Sequence, residues 1–120
     1  MKSLLHASAA AVFALAASTV WAHASLQASE PPAGSTLAAA PKQIRLHFNE
    51  ALEPAFASVK LTGVDGKDVA VEKAAVDKAD GKVLVLSLPA LPPGAYTVKW
   101  SAMGHDGHRM KGALGFTVRP

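Results

Sequence analysis

The chain reads as an all-β domain, a seven-stranded, immunoglobulin-like Greek-key sandwich or barrel. Three observations predict it: short apolar runs with period-two alternation, turn formers between them at regular intervals, and no stretch that needs a long helix. The domain follows a leader. Lys2, the apolar run from Leu4 to Ala17 broken only by His6 and Ser8, and the small-residue end Ser18-Thr19-Val20-Trp21-Ala22 have the pattern of a secretion signal. The sequence therefore divides into a signal peptide, 1–22, and one working domain, 23–120. A retained anchor would need about 20 consecutive apolar residues, so no stable membrane insertion is expected once the signal is gone.

The elements follow in order. Ala24 to Ala28 is a short first strand, and Glu30-Pro31-Pro32-Ala33-Gly34-Ser35 a turn that proline keeps out of a central ladder. Lys42 to Asn49 is the second strand, with Ile44, Leu46 and Phe48 on one face and Gln43, Arg45 and His47 on the other. Ala55 to Thr62 is the third, aligning Ala57, Val59 and Leu61. Asp68 to Ala74 and Lys82 to Leu88 are consecutive antiparallel strands around Asp80-Gly81, a tight-turn pair. After Leu91-Pro92-Pro93-Gly94, the residues Tyr96, Val98 and Trp100 alternate with polar neighbours, and Tyr96 is placed to form a tyrosine corner. Ala113 to Arg119 is the seventh strand, with Phe116 and Val118 inward.

Composition excludes several function classes. Twelve Lys plus Arg against nine Asp plus Glu give a formal charge of +3, and loss of Lys2 with the leader lowers it further. The remaining cations are scattered, without the clustered basic face and interleaved aromatics of a nucleic-acid binder. There is no cysteine, hence neither a disulfide nor a thiolate metal site.

The histidines carry the chemical signal. Of five, His6 lies in the leader and His47 on the polar face of a strand, where a structural role is expected. His105 and His108 sit in Gly104-His105-Asp106-Gly107-His108. Asp106 and His108 point the same way if that segment is extended, Gly107 lets the backbone bend, and His105 is then a solvated or hydrogen-bonding neighbour, with replacement of His108 or an added ligand as the alternative. The last is His23. Two cuts satisfy the small-residue rule: one after Ala22, which makes His23 the new amino terminus, and one after Ala24, which removes it.

A terminal histidine offers an amine and an imidazole to one ion. Its amine has a reference pKa of about 8 against about 10.4 for lysine, so a metal displaces the proton more readily. With the His108 ring and an Asp106 oxygen, the donors are three nitrogens and one oxygen. That set suits copper(II), which heads the affinity order for such ligands. Copper(I) prefers soft sulfur, and beyond the leader only Met103 and Met110 supply any.

The sequence resembles the CopC-type periplasmic copper resistance proteins over the whole of 23–120. The likeness rests on His23-Ala24-Ser25-Leu26 directly after a signal, on Ser29-Glu30-Pro31-Pro32-Ala33-Gly34-Ser35, on Ile44-Arg45-Leu46-His47-Phe48-Asn49-Glu50, on Leu91-Pro92-Pro93-Gly94-Ala95-Tyr96-Thr97-Val98-Lys99-Trp100, and on Asp106-Gly107-His108 followed by Gly112 and Phe116-Thr117-Val118. The resemblance implies a periplasmic protein that binds copper(II) through His23, Asp106 and His108, with Glu50 nearby as a hydrogen-bonding support. It also implies a role in copper homeostasis or resistance, by sequestering or delivering the ion, and cooperation with an inner-membrane copper transport protein of the CopD type. The methionine-rich copper(I) loop of some members is missing, because Val59 to Val76 contains no methionine.

An enzyme is the competing expectation, since copper mono-oxygenases also use a terminal-histidine brace. Against it, Asp106 can occupy the copper plane, and the chain has few aromatics for a broad substrate surface: two tryptophans, one tyrosine and four phenylalanines, with Phe13 and Trp21 in the leader. The expectation is a binding module without turnover.

Overall fold

The computed structural model describes residues 25–120. The leader and His23 lie outside the described residues. Eight strands form: β1 (Leu26–Glu30), β2 (Ser35–Leu37), β3 (Gln43–Phe48), β4 (Ser58–Thr62), β5 (Ala75–Val76), β6 (Val83–Ser87), β7 (Gly94–Met103) and β8 (Arg109–Val118). They make two four-stranded sheets, ordered β1-β3-β6-β5 and β2-β8-β7-β4. The domain is an all-β sandwich.

Alternation in the sequence becomes the core. Ile44, Leu46 and Phe48 of β3 face Val98, Trp100 and Ala102 of β7 and Leu114, Phe116 and Val118 of β8 across the interior, all buried. Each large side chain removed from water in this way contributes about 1.5–3 kcal/mol. The Phe48 and Trp100 rings join the two sheets edge to face, with centroids 5.1 Å apart. Opposite Trp100 on β8 stands Gly112, where an added Cβ would lie 2.6 Å from the indole Cζ2. Glycine there is the space that the indole fills. Tyr96 stacks on Phe116 at 5.4 Å and donates its hydroxyl hydrogen to the Pro92 carbonyl, the tyrosine corner expected from sequence.

The expectation of seven antiparallel strands is corrected at several points. Ser35–Leu37 forms a strand, parallel to β8, in register Ser35 with Phe116; three residues are too few to show alternation. The expected strand Asp68 to Ala74 forms no ladder and is held at one end, where Thr62 bridges Asp68 and the Val69 N–H donates to the Leu61 carbonyl at 2.8 Å. The hairpin partner of β6 is instead Ala75–Val76. Before β4, Pro54–Phe56 forms a 3-10 turn rather than strand. His47 behaves as foreseen on the outer face of β3, its Nε2 2.9 Å from Glu30 Oε1.

The correction that matters for function concerns β8. It begins at Arg109, not Ala113, and pairs with β7 all the way to Met103 opposite Arg109. Residues 104–108 are therefore the tip of a tight hairpin at one end of the sandwich.

Candidate metal centre

The hairpin tip is closed by its own backbone. The Gly104 N–H donates to the His108 carbonyl at 3.1 Å and the Gly107 N–H to the Gly104 carbonyl at 3.0 Å. Gly107 has φ of 84°, a left-handed conformation that costs glycine little. Asp106 then folds over the turn: Oδ1 accepts the His108 backbone N–H at 2.9 Å, and Oδ2 lies 2.9 Å from the His108 ring Nδ1.

Asp106 and His108 are thus brought together, but by a turn and an aspartate cap. The expectation of an extended segment with both side chains on one face is wrong in its reason. Both side chains are exposed, at 36% and 60%, so an ion can reach them from solvent. Hydrogen bonding from the His108 backbone and ring holds the Asp106 carboxyl below its usual range. It is a carboxylate near neutral pH, the state a metal needs.

A second loop packs against the tip. After β3, Leu52 bridges Gly104, the Glu53 N–H donates to the Met103 carbonyl at 2.8 Å, and the His105 N–H donates to the Ala51 carbonyl at 3.1 Å. These bonds carry Glu50 to Asp106. Burial, and then the hydrogen-bonded proximity of Asp106, push the Glu50 carboxyl above its ordinary range. Its Oε1 is shut away from water and meets no donor among the described residues. His105 takes a separate course, with Nε2 3.6 Å from Glu53 Oε1.

Sequence reasoning missed Asn49. Its Oδ1 accepts the Ser25 N–H at 2.7 Å and its N–H donates to the Ser25 carbonyl at 3.1 Å. The start of the described chain is thereby clasped next to Glu50. Asn directly before Glu at the end of a strand was the visible signal, but only the β1–β3 register shows what it grips. Among the described residues, no three of His, Cys, Asp and Glu converge to hold a metal. Asp106 and His108 are two candidate ligands, fewer than the three such groups that a metal cluster would bring together.

Comparison with known proteins supplies the family. A CopC domain family profile matches residues 26–119. Protein YobA of Escherichia coli K12 is 37% identical over 119 residues, covering 98% of this chain and 96% of its own. The crystal structure of CopC from Methylosinus trichosporium OB3b is similar at a TM-score of 0.76 and 36% identity, over 82% of this chain and 95% of that one. The structure of PcoC, a methionine-rich copper resistance protein from Escherichia coli, is similar at a TM-score of 0.71 and 38% identity, over 82% of this chain and all of that one. With its two-sheet sandwich and the Asp106–His108 pair at the hairpin tip, the chain belongs to the CopC family.

Proposed function

We propose that this protein binds one copper(II) ion in the periplasm, in a non-catalytic role in copper homeostasis or resistance. Copper is its cargo. The ligands on this reading are the amine and ring of His23, exposed by cleavage after Ala22 so that 23–120 is the working domain, together with Asp106 and His108. Glu50 supports them as a hydrogen-bonding partner of Asp106.

The observation that carries the reading is the clasp between Ser25 and Asn49 beside Glu50, whose carboxyl reaches Asp106. His23 lies two residues before Ser25, and a chain spans at most about 3.3–3.6 Å per residue. Two residues can reach no more than roughly 7 Å from Ser25, and the place of Ser25 beside Asn49 supports a role for the His23 nitrogens next to Glu50 and Asp106.

The family likeness supports the remaining terms of the proposal: the immunoglobulin-like Greek-key topology, and an inner-membrane copper transport protein of the CopD type as the partner that receives or supplies the ion. PcoC is described as methionine rich, whereas here Val59 to Val76 has no methionine. We read this chain as a copper(II)-only member. No feature of the site favours the mono-oxygenase alternative.

The test is a titration of the processed, metal-free protein with copper(II), followed by visible absorption and electron paramagnetic resonance. One equivalent should bind with a nitrogen-rich tetragonal spectrum. Absence of a one-to-one complex above the background of a histidine-free control protein contradicts the reading.

A further inference from the structure

Gly104 is buried, yet its backbone does not need to be glycine. Its φ lies outside the left-handed region, unlike Gly34, Gly66, Gly94 and Gly107. What forbids a side chain is space. A Cβ built on Gly104 overlaps Glu50 Oε1 outright, stands 2.6 Å from Glu50 Cδ and lies 3.0 Å from Asp106 Oδ1. The Glu50 carboxyl occupies the volume that any other residue at 104 would fill.

We infer that Gly104 is a positioning residue of the metal site: by having no side chain, it forms the seat that lets the Glu50 carboxyl reach past the hairpin and lie against Asp106. This deepens, and rests on, the copper reading of the Asp106–His108 pair. Two further observations fit the seat. The bridge from Leu52 to Gly104 and the bonds from Glu53 to Met103 and from His105 to Ala51 fasten the Glu50 loop on both sides of position 104, so the approach is set by backbone rather than by a wandering side chain. The seated Oε1 is dry and without a donor among the described residues, a costly arrangement for a group that could otherwise reach water. Stability does not explain holding it there; a carboxyl kept in place against the ligand Asp106 does.

The overlap falls on the far end of a flexible side chain, so Gly104→Ala should fold and expel the Glu50 carboxyl. The experiment uses the processed protein with four forms: wild type, Gly104→Ala, Glu50→Ala and the double variant. In the metal-free state, the carboxyl carbon resonance of Glu50, read by NMR, should move in Gly104→Ala to that of a solvated glutamate. With copper(II), Gly104→Ala and Glu50→Ala should each lose affinity by about 10–100-fold, the range for removing a group that supports metal ligands. The double variant should lose no more than Glu50→Ala alone.

An unmoved Glu50 resonance overturns the seat, as does an equal further loss when Gly104→Ala is added to Glu50→Ala. Should Gly104→Ala fail to fold, the double variant decides: folding supports the seat, because the overlapped carboxyl is gone, and failure overturns it. The metal-free resonance tests the seat even if copper binds elsewhere, which separates failure of this inference from failure of the copper reading.

Discussion

His108→Ala is expected to weaken copper(II) binding by more than about 100-fold, while leaving the metal-free domain within ~0.5 kcal/mol of the wild type. The two halves of this expectation have different causes. Removing groups that merely support metal ligands costs about 10–100-fold, so loss of a nitrogen ligand has to exceed that. The fold survives because the turn is held by backbone: Asp106 Oδ1 caps the His108 N–H, which an alanine at 108 keeps, and Gly104 still bonds to the residue-108 carbonyl. The imidazole itself is exposed and takes no part in the core. A competition titration against a chelator of known affinity, paired with a thermal melt, measures both halves. Undiminished affinity contradicts the assignment of His108, and a collapsed melt would show that the ring is structural.

Trp100→Ala should have the opposite signature, a large loss of stability. The indole bridges the sheets against Phe48 and fills the hollow left by Gly112. Its truncation costs about 3–5 kcal/mol, a large share of the ~5–15 kcal/mol available to a typical domain. No disulfide offsets the loss. At about 4–8 °C per kcal/mol for a domain near 100 residues, the midpoint of the metal-free melt should fall by at least ~12 °C. Lys99→Ala, next in sequence but on the exposed face of β7, should change stability by less than ~0.5 kcal/mol. A small shift in Trp100→Ala, comparable with that of Lys99→Ala, would mean that the two sheets are not held together through this ring.

The contrast between these positions shows how far the sequence is legible. Tyr96, Val98 and Trp100 announce themselves because burial on one side of a sheet imposes a period of two, and β3 is equally plain in Ile44, Leu46 and Phe48. Pairing information is not written that way. Asp68 to Ala74 has the composition of a strand but finds no ladder beyond the bridge to Thr62, and Ser35–Leu37 becomes a strand only because β8 runs beside it.

The candidate site is legible in part for the same reason. Asp106 and His108 stand close in sequence and are found together, although a hairpin turn brings them there. Asn49 and Gly104 matter through what lies across space: one grips Ser25, the other makes room for Glu50. A polar residue and a glycine near turns have ordinary local explanations, and only the packing of the 49–53 loop on the hairpin tip distinguishes them.

The most direct test of the central claim is to compare copper(II) complexes of the processed protein starting at His23 with those of the same protein carrying one additional residue ahead of it, by electron paramagnetic resonance and competition titration. A terminal amine acting with the Asp106–His108 pair predicts that the extension changes the nitrogen coupling pattern and lowers affinity by at least about 10-fold, with the metal-free melt unchanged. Identical spectra and equal affinity in the two forms would contradict it.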